Sequence, residues 1–296
     1  MQTTRRGFLG TAAALSLSGC LGSTSGPTLT VGVVPDVDPD TAIEQNTALA
    51  SYLESELGAS VDLRTAADYA GMVQAMVAEQ VDLAYYGGVS YVLAHHRAGA
   101  EPVVVGSKDG ETLWHSAFVV GADADIEGMD DVAADAGDLD LVFGDPISTS
   151  GTVMPTYYLR TEHDLVPETA FEQVTHVGAH DATAKTVAGS TGTVGALNAR
   201  IYDALVAEDA VTGVREIWRT PGFPDYPWAV APSMEAATAD EVRRAFTSLD
   251  STEEADILDQ QNVDRYVEVS HDDFASLDDA VEMAGIETGT ETEASG

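Results

Sequence analysis

Cysteine and lysine are almost missing from this chain. One cysteine, Cys20, in 296 residues rules out an internal disulfide and any thiolate metal site. Two lysines, Lys108 and Lys185, belong to a set of 13 basic residues that faces 50 acidic ones, a formal net charge of −37. No basic patch is present to neutralise a phosphate backbone, which excludes nucleic acid as a partner. The histidines, including the pair His95-His96, lack acids or cysteines at ligand spacing, so no metal is expected. Phosphate-loop, Gly-x-Ser-x-Gly and Cys-x-x-Cys patterns are all absent, and no cofactor is expected.

The acidic residues are spread along every segment rather than gathered in a tail. Hydrophobic residues make up 44% of the chain and recur periodically, which argues for a folded protein rather than a disordered acidic one. Scattered acid with almost no lysine is the composition of a protein from a salt-loving organism. At molar salt the Debye length is only ~3 Å, and self-repulsion is largely screened.

Residues 1–20 read as an export signal. Arg5-Arg6 precedes Gly7-Phe8-Leu9 and a small, apolar run too short for a permanent membrane span. The twin arginine is of the Tat type, and Leu17-Ser18-Gly19-Cys20 resembles a lipobox, in which Cys20 becomes lipid-modified and forms the new N-terminus. Residues 21–27 make a small, polar linker.

From Thr28 onward, short apolar runs alternate with helix-spaced stripes such as Tyr69, Met72, Val73, Met76 and Val77. The β-α alternation predicts an α/β fold with mostly parallel sheets and helices on their faces. It runs once to about residue 117 and restarts at 139. The Pro-rich passage around Pro221, Pro224 and Pro227 returns the chain. Two lobes joined by two crossings follow: residues 28–117 with 226–285 in one, and 118–221 in the other. Residues 286–296, rich in Gly, Thr, Glu and Ser, read as a disordered tail. The ligand belongs in the cleft, where strands end and helices begin.

The most informative stretch is Gly144 to Thr152, Gly-Asp-Pro-Ile-Ser-Thr-Ser-Gly-Thr. It follows the apolar strand Leu139–Phe143 and precedes a helix-compatible run. Ser148, Thr149 and Ser150 therefore fall at a helix N-terminus. A cap needs one hydroxyl; three of them, with Gly151 beside them, make an oxyanion site. Tyr86 lies where a strand ends in Gly-Gly, a position suited to ligand contact, with Tyr85 or Tyr91 as core residues instead. Ser148 or Ser150 with His180 as base would make a hydrolase of phosphate or phosphonate esters. Three adjacent hydroxyls, however, read as a capping ring rather than one activated nucleophile, so the chain is expected to be a binding module and not an enzyme.

Gly-Asp-Pro-x-Ser-Thr-Ser-Gly resembles the phosphate-gripping loop of phosphonate-binding proteins, the substrate-binding subunits of ABC importers for phosphonate, phosphate or phosphite. Four further segments match in order: Asp68–Gly71, Asp82–Gly87, Gly178–Asp181 and Trp218–Pro221. The resemblance spans residues 31 to 234. It implies a two-lobed fold of the periplasmic-binding-protein type (type II), closing about two hinge crossings. It also implies an exported monomer that works with a permease and an ATPase, held to the cell membrane by Cys20 as a haloarchaeal-type lipoprotein.

The same resemblance implies ligand contacts from Tyr69, Trp114, His180 and Tyr226 besides the hydroxyl loop. Tyr69 also continues an apolar stripe, so a core role stays open. Trp114 stands where relatives carry an aromatic hydrogen-bonding side chain, with His115 as the alternative. His180 is expected to donate to the anion, which favours its charged form, and Asp181 to cap the helix. Relatives that hold aminoalkylphosphonates place acids after the strand Thr193–Leu197 and in the Pro-rich crossing. Here the first region reads Asn198-Ala199-Arg200, and Asp225 or Tyr226 takes the second place. A ligand without an amine is therefore expected.

Overall fold

The computed structural model describes residues 27–249, 252 and 254–288. The expected export signal, Cys20, all but the last residue of the linker, and residues 289–296 of the expected tail lie outside the described residues.

The described residues form thirteen strands: β1 (Thr28–Val33), β2 (Ser60–Thr65), β3 (Leu83–Tyr85), β4 (Glu101–Ser107), β5 (Leu113–Trp114), β6 (Ser116–Gly121), β7 (Asp140–Phe143), β8 (Gln173–His176), β9 (Thr193–Asn198), β10 (Val214–Arg219), β11 (Phe223–Pro224), β12 (Pro227–Val230) and β13 (Arg265–Glu268). They sort into a six-stranded sheet ordered β13-β4-β12-β3-β1-β2, a five-stranded sheet ordered β10-β6-β9-β7-β8, and the ladder β11-β5. That short ladder pairs the two passages between the sheets, Leu113–Trp114 against Phe223–Pro224. Each sheet carries its own helices, which gives two lobes with the crossings side by side between them.

The sheets are mixed, and here the sequence reading is corrected. β1 is parallel to β2 and β3, but β12 runs antiparallel to β3 and β4, and β13 antiparallel to β4. In the second sheet β7 is parallel to β8 and β9, while β6 is antiparallel to β9 and β10. Local β-α-β units are parallel by geometry. A strand arriving from the other lobe has no such constraint: β6 and β12 enter reversed, and β13, which follows β12 through helices of the same lobe, keeps its direction.

Helix Pro39–Leu57 shows how the local code works. The Asp38 carboxylate accepts from the amides of Asp40 and Thr41, and Pro39 occupies the first turn. Leu49 and Leu53 face inward and are fully buried, each worth about 1.5–3 kcal/mol. The sequence reading is silent on helices Met129–Asp135, Pro167–Ala170 and Ala255–Gln260 and on β13, all short and without a clear period. The chain also stays packed past 285. Ile286 lies against the core beside Val281, and Arg97 donates to the carbonyls of Glu287 and Thr288. The expected disordered tail therefore does not begin at 286.

Candidate functional site

The hydroxyl loop forms at the end of β7. Ser148 caps it, its Oγ accepting from the Gly151 amide at 3.1 Å, and the first turn is a five-residue π-turn, Thr149–Val153, before the helix Met154–His163. The wider turn leaves Thr149 and Ser150 outside the capping role, and both are fully buried. A Cβ at Gly151 would lie 2.8 Å from Ser148 Oγ and 3.0 Å from His180 Cε1, so this place admits only glycine. Asp145 closes the loop from below, accepting from the Ile147 amide and, across the cleft, from the Tyr69 amide at 3.2 Å.

The facing lobe presents a helix N-terminus. Helix Gly88–Ala98 has no side-chain cap from its own N-cap residue, Gly87. Its first amides point at the cleft instead: Gly88 N donates to Asp225 Oδ1, and Val89 N to Thr149 Oγ1 at 2.9 Å. Asp225 Oδ1 also accepts from the Tyr226 amide at 3.0 Å, while its Oδ2 is buried with no partner among the described residues. The helix N-terminus of one lobe thus meets a carboxylate and, on the facing loop, the Thr149 hydroxyl. Burial nevertheless dominates and pushes the Asp225 carboxyl up to about 6.

A directed chain of hydrogen bonds runs beside this centre. The Asn198 amide donates to His180 Nδ1 at 3.1 Å, and His180 Nε2 lies 3.0 Å from the Tyr226 hydroxyl. Because Nδ1 accepts, its proton is absent, and Nε2–H is the donor to Tyr226. The Tyr226 hydroxyl also lies 3.5 Å from that of Tyr69, and the half-buried Asp36 carboxyl stands near it. Desolvation lowers the His180 imidazole to about 4, against a smaller opposing pull from Asp181. The expected charged histidine is corrected: His180 is a neutral donor. Burial, with the nearby Asp225 charge adding to it, pushes the Asp36 carboxyl up to about 7. Tyr226 itself sits at φ +52, a strained backbone position for a bulky residue, of the kind that clusters at functional sites.

An aromatic wall extends from the centre. Tyr226 stacks on Tyr85, ring centroids 5.1 Å apart, and packs tilted against Trp114 at 4.7 Å, and the Arg200 guanidinium lies 4.1 Å over the Trp114 ring. Tyr85, Trp114, Arg200, Lys185 and Asp36 line a cavity of about 460 Å³. Tyr86 points the other way, into the core, with its hydroxyl on the Met72 carbonyl. The expected roles of Tyr86 and its neighbour are therefore reversed, because β3 is buried on both faces and Tyr85 takes the cleft side.

Of the residues expected at the site, Tyr69, Ser148, Thr149, Ser150, His180 and Tyr226 come together, with Trp114 against Tyr226. His115 instead bonds the Thr220 carbonyl. Asp181 does not cap its helix, whose N-cap is Ala179, and pairs with Lys185 at 2.6 Å. Both Asp225 and Tyr226 face the centre, on different partners. Sequence reasoning missed Asp36, Asn198 and Tyr85. Asp36 follows the end of β1, the kind of strand-end position that carries the other site residues. Asn198 is a helix N-cap, accepting from the Arg200 and Ile201 amides while its Nδ2 donates to Ser150 Oγ at 3.2 Å. No serine meets His180 as the hydrolase reading required. Among the described residues no cluster of His, Cys, Asp or Glu is arranged to hold a metal ion.

Two α/β lobes, paired crossings and a buried polar centre fed by both lobes are the architecture of a two-lobed solute-binding protein. The chain belongs to the family described as "ABC transporter, phosphonate, periplasmic substrate-binding protein", whose model matches residues 31–274. It is 28% identical over 229 residues to the phosphonates-binding periplasmic protein of Escherichia coli K12, covering 76% of this chain and 67% of that one. A probable phosphite-binding protein of an ABC transporter from Prochlorococcus marinus is 23% identical over 85% of this chain and 88% of its own. Its solved complex with methylphosphonate superposes with a TM-score of 0.80 at 23% identity, over 87% of this chain and 98% of that one. A binding component of a phosphonate transporter from Pseudomonas aeruginosa gives 0.80 at 21%, over 90% and 91%. No helix among the described residues is long and apolar enough to cross a membrane.

Proposed function

We propose that the cleft captures the phosphorus oxyanion end of a phosphonate, phosphite or phosphate and delivers it to the permease of an ABC importer. The observation that carries this is the convergence of donors at the cleft: the Gly88 and Val89 amides open a helix against Asp225 and Thr149, beside the buried Ser150 hydroxyl and the His180–Tyr226 hydrogen bond. A phosphorus oxyanion draws on the same donors. Ser148, His180 and the hydroxyls of Tyr69 and Tyr226 complete its shell, and Trp114 and Tyr85 flank its organic part. Neutral His180 donates through Nε2 without adding charge, while the helix N-terminus at Gly88 supplies the favourable field. Calorimetric titration with methylphosphonate tests the reading: saturable heat at one site supports it, and the absence of heat contradicts it.

The protein is exported through its twin-arginine signal, retained at the outer face of the cell membrane by lipid on Cys20, and works as a monomer in a salt-rich medium. Arg5-Arg6, the Leu-Ser-Gly-Cys motif and the −37 charge support this. Mass spectrometry of the mature N-terminus tests it, since an unlipidated Cys20, or a mature chain that begins at another residue, excludes the anchor.

A further inference from the structure

A cavity of about 460 Å³, much larger than a methyl group or a hydrogen requires, lies beside the oxyanion centre, walled by Tyr85 and Trp114, which pack on Tyr226. Two of the chain's 13 basic residues, Arg200 and Lys185, line it. Lys185 is engaged by Asp181 at 2.6 Å. Arg200 is held but not satisfied. One terminal nitrogen, Nη2, donates to the Leu113 carbonyl at 3.0 Å and the Glu111 carbonyl at 3.4 Å, and the other, Nη1, is buried with no acceptor. The indole Nε1 of Trp114 beside it is a second buried donor without an acceptor. Buried donors of this kind call for a partner.

Most of the acids on the same walls are engaged or turned to solvent. Asp38 caps the helix Pro39–Leu57, Asp181 holds Lys185 through Oδ2, and Glu208 is exposed at the rim. Arg200 also covers a face of Trp114, so a ligand ammonium cannot use that face for cation–π attraction. A planar, permanently charged fork with a free nitrogen matches a carboxylate.

We propose that this cavity receives the organic end of a carboxylated phosphonate, with Arg200 reading the carboxylate and Trp114 Nε1 donating beside it. The inference rests on the oxyanion reading of the centre. The aromatic stack sets the reach, from the Tyr226 hydroxyl at the centre through Trp114 to the guanidinium, and a short carbon spacer spans it.

Competition calorimetry with methylphosphonate, 3-phosphonopropionate and 2-aminoethylphosphonate tests the proposal. In the wild-type chain the carboxylated ligand is expected to bind at least about tenfold more tightly than methylphosphonate, as a hydrogen bond to a charged group allows. The aminated one is expected to be the weakest. Arg200→Gln should bring the ratio of the first two affinities close to one. Equal wild-type affinities, tightest binding of the amine, or a ratio that survives Arg200→Gln would each overturn the proposal, and the wild-type comparison stands even where the variant does not fold. Methylphosphonate failing to bind at all would overturn the oxyanion reading, and this inference with it. Binding of methylphosphonate without a carboxylate advantage overturns this inference alone.

Discussion

His180 Nε2 in one lobe lies 3.0 Å from the Tyr226 hydroxyl of the other, and the opposite ring nitrogen takes the Asn198 amide. The imidazole is thereby fixed as a neutral donor across the cleft. It should stay neutral down to about pH 4, where burial has placed it. Nitrogen-resolved NMR of the histidines checks this: one ring is expected to keep a protonated Nε2 and a bare Nδ1 between pH 5 and 8. A His180 that titrates near 6.5 would show that the interlobe bond is not formed in solution.

Asp36 and Asp225 set a pH dependence of the opposite sign. Both carboxyls are raised by burial, to about 7 and about 6, so the folded chain binds more protons there than the unfolded chain. Stability contributed by their protonated forms is therefore lost as pH rises from about 4 toward 7. His180, lowered to about 4, works against them below its ordinary value of about 6.5. Between pH 6.5 and 7.5 Asp36 acts with little opposition. Thermal melts at fixed salt should fall across that interval, and Asp36→Asn should flatten the fall. An equal slope in the variant would remove Asp36 from the account.

Gly151 should tolerate no side chain. A Cβ there meets Ser148 Oγ at 2.8 Å and His180 Cε1 at 3.0 Å, and overpacking of this kind costs about 1–3 kcal/mol. Gly151→Ala is expected to melt lower and to bind methylphosphonate more weakly, because it moves the cap and the imidazole together. Wild-type values for both would mean that the cradle is looser than its geometry.

The acidic surface predicts a dependence on salt. The charge of −37 repels itself at low ionic strength and is screened at multimolar potassium chloride, where the Debye length falls to ~3 Å. Circular dichroism melts should rise steeply with salt. A flat response would separate the composition from stability.

Much of this architecture can be read from residue order, because β-α alternation and helix caps are local signals. The hydroxyl loop stands out for the same reason: its residues are contiguous, and a capping surplus is visible without tertiary information. Tyr85 and Tyr86 show where that reading stops. Adjacent tyrosines on a strand buried on both faces carry no polar alternation to set their phase, and only the antiparallel β12, contributed by the returning chain, decides which one stacks on Tyr226. The charge state of His180 was equally out of reach, since it depends on a backbone amide 18 residues away in sequence. Asp36 and Tyr226 are brought together only when β12 of the returning chain joins β1 in one sheet through β3, so nothing near Asp36 in the chain marks its role.

The central claim is that the hydroxyls of the loop after β7 grip the oxyanion. Ser150 tests it most directly, because it is fully buried in the loop and its Oγ accepts from Asn198 Nδ2 without capping the turn, a task that belongs to Ser148. A hydrogen bond to a charged group is worth ~1.5–3 kcal/mol, so Ser150→Ala should weaken methylphosphonate binding roughly 10- to 150-fold by calorimetry, with the melting transition retained. A folded Ser150→Ala protein that binds methylphosphonate as tightly as the wild type would contradict the account.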